Sequence, residues 1–207
     1  MFSPPLLRLP FLGLLSVADA LGCATTTVEN PGGVEPRRVD PGSASLGEGT
    51  GIGSQDLQQV TDKMSRSILS TPAIANATEP PTIALLPVAN DTRFPINKQL
   101  FTMRIKAMLN TQCQNKVRFL ARDRIEAIEN ERDLKREGLV GSSSDKVLLG
   151  VDYFLTGELT GLSQAGSSGQ SDYILYTFRL IDAESSLEVW EDFEEIKKEG
   201  LEDVAYR

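Results

Sequence analysis

Residues 151–200 read VDYFLTGELTGLSQAGSSGQSDYILYTFRLIDAESSLEVWEDFEEIKKEG, and the period of this stretch decides the fold. Ile174, Tyr176, Phe178 and Leu180 recur at every second position, so a strand over residues 172–181 sets all four on one face. A preceding strand is expected from Tyr153 to Leu162, with residues 164–170 as a flexible hairpin loop. The polar run Asp182-Ala183-Glu184-Ser185-Ser186 turns the chain into a third strand from Leu187 to Ile196. There Leu187, Val189 and Phe193 alternate with Glu188, Trp190, Asp192 and Glu194. Two successive hairpins predict an antiparallel meander.

Upstream of residue 150 the period is mostly helical. Ser54 is placed to cap a helix, Asp56 falls in its first turn, and Leu57, Val60, Met64 and Ile68 share one stripe. That helix stops near Thr71-Pro72, and residues 72–81 form a connection. Residues 82–88, TIALLPV, read as a short buried strand, and residues 90–93 as a loop. A second helix is expected from Pro95 to about Cys113, with the proline in its first turn. It carries Ile96, Leu100, Met103 and Ala107 on one side and Phe101, Ile105 and Met108 on nearly the other. Such a helix is either sandwiched within the domain or shows one face to a partner; the first helix also needs a surface to cover, which favours the sandwich. A strand over residues 117–120 then feeds a helix from Arg122 to Arg136, bearing Ile125 and Ile128 and ended by Gly138. Residues 142–145 cap a short helix through Leu149. The order predicts an α+β domain: a mixed sheet of about five strands ending in an antiparallel meander, with helices packed on one face. The strand–helix–strand crossover lets the first two strands run parallel.

Composition removes several functions. The 207 residues carry a net charge of -8, which argues against nucleic acid as a partner. There is no histidine, so histidine triads, histidine general bases and histidine metal sites are excluded. Two cysteines cannot build a Cys-only zinc site within one chain. Cys113, beside Met108, Leu109 and Val117, reads as a buried structural thiol, with a Cys23–Cys113 disulfide as the alternative in an oxidising compartment. The doublets Glu191-Asp192 and Glu194-Glu195 cannot each converge on one substrate, because neighbours on a strand point to opposite faces. Residues 49–53, GTGIG, have no strand before them and no lysine in the place a phosphate loop requires. No catalytic, cofactor or metal constellation and no small-molecule site emerges. The acidic run from Glu184 to Asp203 is either a solvated face or a match for a basic partner surface.

The N-terminus carries the one chemical mark. Arg8 precedes the apolar stretch LPFLGLLSVADALGC, which closes at Cys23 with Gly22 directly before it. Residues 24–53 then follow, rich in Gly, Pro, Ser and Thr. This is the order of an export signal over residues 1–22, a cleavage point and a flexible linker over residues 23–53, ahead of a globular domain over residues 54–207. Cys23 is the expected site of lipid attachment; an ordinary secretory signal with a chance cysteine is the competing reading. The apolar run falls short of the ~20 residues that span a bilayer. Thirty flexible residues span about 30 Å root-mean-square and about 100 Å fully extended.

Three segments together resemble a known family: Ile83-Ala84-Leu85-Leu86-Pro87-Val88-Ala89-Asn90-Asp91-Thr92, Val151-Asp152-Tyr153-Phe154-Leu155-Thr156-Gly157-Glu158-Leu159, and Phe178-Arg179-Leu180-Ile181-Asp182 followed by Glu188-Val189-Trp190-Glu191-Asp192. They are similar to the LpoB family, outer-membrane lipoprotein activators of bifunctional penicillin-binding proteins, over roughly residues 54–200. The turn at residues 182–186 lacks the glycine expected before the tryptophan strand. The resemblance implies a regulator and not an enzyme, anchored through a lipid on the periplasmic face of the outer membrane. Its implied partner is a peptidoglycan synthase whose polymerisation and cross-linking it raises. The curli-secretion lipoproteins share the pattern, and a self-assembling structural or secretion component is the alternative.

Overall fold

A computed structural model describes residues 37–43, 49–112, 116–141 and 148–201. Every element below belongs to one compact unit, residues 39–207. The expectations placed on the export segment, Cys23, Cys113 and residues 142–147 lie outside the described residues.

In chain order the elements are α1 (Ser54–Ser70), α2 (Pro72–Ala75), β1 (Thr82–Leu85), β2 (Ala89–Asp91), α3 (Gln99–Gln112), β3 (Arg118–Leu120), a 3-10 turn (Arg122–Arg124), α4 (Ile125–Arg136), β4 (Tyr153–Gly166), β5 (Gly169–Asp182) and β6 (Glu188–Gly200). The sheet runs β3-β1-β4-β5-β6, and β2 pairs with β4 farther along the edge that β1 occupies. β1 lies parallel to β3, with Ile83 beside Phe119, and parallel to β4, with Leu85 beside Leu155. β4–β5 and β5–β6 are antiparallel. The α+β class, the mixed sheet and the closing meander are therefore as expected. The strand count is six and not five, because Ala89 and the first two residues of the expected loop, Asn90 and Asp91, form β2, with Asn90 beside Leu159.

Burial follows the two periods. Val60, Met64 and Ile68 of α1 are fully buried, as are Leu155, Leu159, Tyr176, Phe178 and Leu180 on one face of the sheet. Gly157 permits this packing: a Cβ there would stand 2.6 Å from the ring of Phe178. The start of α1 departs from expectation. Gly53 is the cap residue, its N–H donating to Asp56 Oδ2 at 2.9 Å, while the Ser54 hydroxyl donates to the carbonyl of Pro41 at 2.7 Å. Packing extends upstream of α1, since Thr50 and Ile52 are buried.

α3 begins at Gln99, four residues after Pro95. Phe94 is buried, and its carbonyl accepts from Ile96 N at 3.0 Å and Asn90 Nδ2 at 2.9 Å, which commits this backbone to a loop. The helix buries Phe101, Ile105 and Leu109, while Leu100 is 48% and Met103 60% exposed. It is covered on one side only, so the sandwich expectation fails. The reason is lateral packing. Arg104 Nε of α3 donates to Thr61 Oγ1 of α1 at 2.8 Å, and Phe101 meets Tyr176 at 5.6 Å between ring centroids. Both helices lie side by side on the sheet instead of stacking. The helix over Arg122–Arg136 opens with a 3-10 turn, and Ile125 and Ile128 are only half-buried.

The meander is longer than its hydrophobic pattern. Residues 164–166 and 169–170 are laddered strand, with Gly166 opposite Gly169 and only Ser167-Ser168 between them. Gly169, at φ 135°, takes the backbone conformation this turn needs. At the second turn Asp182 Oδ1 accepts from Glu184 N at 3.0 Å and Ser185 N at 2.7 Å. Ser186, at φ 60°, fills the left-handed position where a glycine was expected. A register irregularity at Leu180/Ile181 sets Trp190 opposite Leu180. Trp190, Asp192, Glu194 and Ile196 thus share the helix-covered side. Phe193 falls on the open side, whereas Val189, at the irregularity, packs against the core together with Trp190, so the expected alternation of this strand is broken there.

Candidate functional site

The strand alternation decides where the acidic residues of β6 go. Asp192 and Glu194 face α1, where Lys63 Nζ lies 3.9 Å and 2.7 Å from their carboxylates and Gln59 Nε2 donates to Glu194 at 2.7 Å. Burial pushes the Glu194 carboxyl up, but the Lys63 and Gln59 hydrogen bonds outweigh it and hold it below the usual range. Glu191 and Glu195 stand on the opposite face. The two carboxylate doublets therefore divide between the two sides of the sheet and do not converge on a reacting atom.

Asp172, fully buried on the helix-covered side, anchors the far end of the hairpin. Arg93 Nε donates to Oδ1 at 2.8 Å and its Nη2 to Oδ2 at 2.6 Å, while Nη2 also reaches Gln170 at 3.0 Å. The guanidinium lies 4.4 Å over the ring of Phe94. The Arg93 hydrogen bonds outweigh desolvation and hold the Asp172 carboxyl far below the usual range. Lys198 completes a second clasp, donating to Asp56 Oδ2 at 2.7 Å and to the carbonyl of Gly51 at 2.9 Å. These bidentate and charge-assisted contacts staple residues 50–56 and the loop around Arg93 to the hairpin. Their geometry is closed and structural.

Two open grooves mark the ends of the meander. One, of about 530 Å³, lies at the β4–β5 turn and is lined by Gln164, Ser168, Gln170 and Glu199. The other, of about 690 Å³, lies at the opposite end between Pro80, Arg118, Tyr153 and Asp182. In the second, Asp152 Oδ2 is occupied by Thr82, whose N–H donates at 2.6 Å and whose hydroxyl donates at 2.8 Å. Burial, with Asp182 and Asp152 nearby, pushes the Tyr153 hydroxyl up, which leaves it a poorer acid. Neither groove joins a nucleophile to a base. Among the described residues no group of carboxylates and thiols could hold a metal ion, and no helix is long and apolar enough to cross a membrane.

What remains is surface. Besides the outer side of α3, the open face of β4, β5 and β6 exposes Leu162 (60%) and Phe193 (51%). Arg179 lies at its centre within 3.3 Å of Glu191, 3.4 Å of Glu158 and 3.7 Å of Glu188. Tyr173 donates its hydroxyl proton to Glu195 at 2.6 Å, and this bond pushes the phenol up. The sequence offered the acidic run of β6 as a match for a basic partner surface, but not the apolar members of this face, because these lie on three strands and only the register aligns them. Cys23, the one expected attachment site, lies outside the described residues.

The chain is similar to several known proteins. The LpoB C-terminal domain from Salmonella enterica is 10% identical, with 68% of this chain and 98% of that one covered, at a TM-score of 0.44. The corresponding domain from Escherichia coli is 14% identical over the same shares, at 0.41. The NMR structure of E. coli LpoB is 11% identical over 96% of this chain and 85% of that one, at 0.42. No curated protein sequence matches the chain. The family model "Peptidoglycan-synthase activator LpoB" matches residues 56–196, from the first turn of α1 into β6, which bears out the resemblance carried by the three strand segments. The chain belongs to the LpoB family of peptidoglycan-synthase activators.

Proposed function

We propose that this chain is a lipid-anchored regulator that binds and activates a bifunctional penicillin-binding protein from the periplasmic face of the outer membrane. The observation that carries the reading is the family match, which spans the folded unit from α1 to β6. The buried carboxylates Asp172 and Asp56 are used in structural pairs with Arg93 and Lys198, which leaves surface contact as the way this fold would act.

In this reading Cys23 carries the lipid and the residues after it provide reach. With the Pro41 carbonyl held by Ser54, and with Thr50 and Ile52 buried, the stretch that would give reach runs over residues 24–40, at most about 60 Å when fully extended.

The test is the rate of glycan polymerisation and peptide cross-linking by the organism's own synthases, with and without the full chain. A several-fold rise supports the reading, and no binding together with no change in rate removes it. Mass spectrometry of the mature N-terminus tests the anchor separately. A diacylglyceryl-modified Cys23 supports it, whereas an unmodified Cys23 leaves a soluble periplasmic factor.

A further inference from the structure

The geometry points to the open face of β4, β5 and β6 as the docking surface, and to its occupant as a protein domain that sets basic side chains around an apolar protrusion. The inference rests on the reading of the chain as a synthase regulator and deepens it by naming the surface. In the ladder Leu162 stands opposite Tyr173, Leu175 opposite Thr160 and Glu195, and Phe193 opposite Thr177. Leu162, Leu175 and Phe193 therefore form a diagonal across three strands, each one step from the next. Diagonal neighbours of this kind lie about 7–8 Å apart, close enough for large side chains to make one patch.

The charge around that diagonal has a sign. Glu158, Glu188, Glu191, Glu195 and Glu199 lie on the open face, against Arg179 and Lys197. Three of these carboxylates already share Arg179, and Lys197 sits 2.7 Å from Glu199. Glu195, beside the stripe, is held by the neutral Tyr173 hydroxyl, so the surplus negative charge stands next to the apolar centre. A basic rim on the partner complements it. A second copy of this chain would bring the same carboxylates against themselves, and an anionic lipid surface would be repelled. Strand addition at the β6 edge is opposed as well, because Lys63 donates to the edge carbonyl of Phe193 and lies 5.5 Å from its ring. The outer side of α3 offers the wrong charge, since Gln99–Gln112 contains Arg104 and Lys106 and no acidic residue.

The experiment measures binding of the full chain to the organism's own synthases at low and high salt, using Phe193→Ala, Glu195→Lys and, on α3, Leu100→Ala with Met103→Ala. All four positions are exposed or half-exposed, and circular dichroism checks that each variant folds. The expected result is tight wild-type binding that weakens with salt, a loss of about 10-fold or more for each open-face variant, and a change of about 2-fold or less for the α3 variant. Open-face variants that bind like wild type would overturn the surface while leaving the synthase reading standing. Wild type that binds none of the synthases would remove both. A wild-type dimer in sedimentation that Phe193→Ala dissociates would assign the face to a second copy and overturn the proposed partner.

Discussion

Asp172 illustrates how much one buried carboxylate decides here. It has almost no exposure, and it meets Arg93 through two parallel hydrogen bonds. Truncation by Asp172→Ala leaves the Arg93 guanidinium without its counter-charge, and the expected cost is about 3 kcal/mol in urea denaturation. The same pair sets a pH dependence. Its folded carboxyl titrates below the ordinary range, so its contribution is complete above the unfolded value and is lost as pH falls toward the folded one. The stability gap between wild type and Asp172→Asn is therefore expected to be full at pH 7 and to shrink below about pH 4. A gap that stays constant down to pH 3 would show that the charge plays no part. Gly157 makes the opposite demand, for absence. A methyl group there would meet the Phe178 ring at 2.6 Å and the Thr177 carbonyl at 2.9 Å. Gly157→Ala is expected to cost about 1–3 kcal/mol, read as a lowered thermal midpoint.

At the scale of elements, α3 separates burial from hydrophobicity. Its two apolar stripes are nearly equal in the sequence, yet only Phe101, Ile105 and Leu109 enter the core. Ile105→Ala is expected to destabilise by about 2–5 kcal/mol, because the cavity lies among close-packed neighbours. Met103→Ala is expected to change stability by less than about 0.5 kcal/mol. Comparable losses for the two would mean that the outer stripe is covered after all. The strands show a related limit of the sequence. Residues 172–181 could be placed from the alternation of Ile174, Tyr176, Phe178 and Leu180. The ends of the hairpin could not, since Gln164, Ala165 and Gln170 carry no apolar period although they are laddered. β2 was hidden for a similar reason: three residues are too few to show a period, and they are strand only because β4 offers them an edge.

For the folded unit as a whole, α1, α3, β1, β4 and β5 contribute to one connected core. Trp190, the chain's single tryptophan, donates its indole N–H to Ser67 of α1 at 3.0 Å and so reports on the junction of helix and sheet. Trp190 fluorescence and far-ultraviolet circular dichroism are expected to give coincident urea transitions. A separate early fluorescence transition would show α1 leaving the sheet before the remainder unfolds. Docking belongs to this scale too, because the open face exists only when three strands are in register.

The sequence by itself determined the α+β class, the closing meander, the parallel crossover and the family, because these depend on local period and on short strand signatures that survive in one dimension. It also excluded histidine chemistry by composition. Tertiary structure alone decided that α3 shows an apolar side to solvent, that Phe193 and not Trp190 lies on the open face, and that Arg93 and Asp172 meet from positions 79 residues apart. A helical stripe fixes which residues can be buried together. Which stripe is buried depends on what packs beside it, and the face taken by a strand residue depends on register, so a single irregularity at Leu180/Ile181 reverses it.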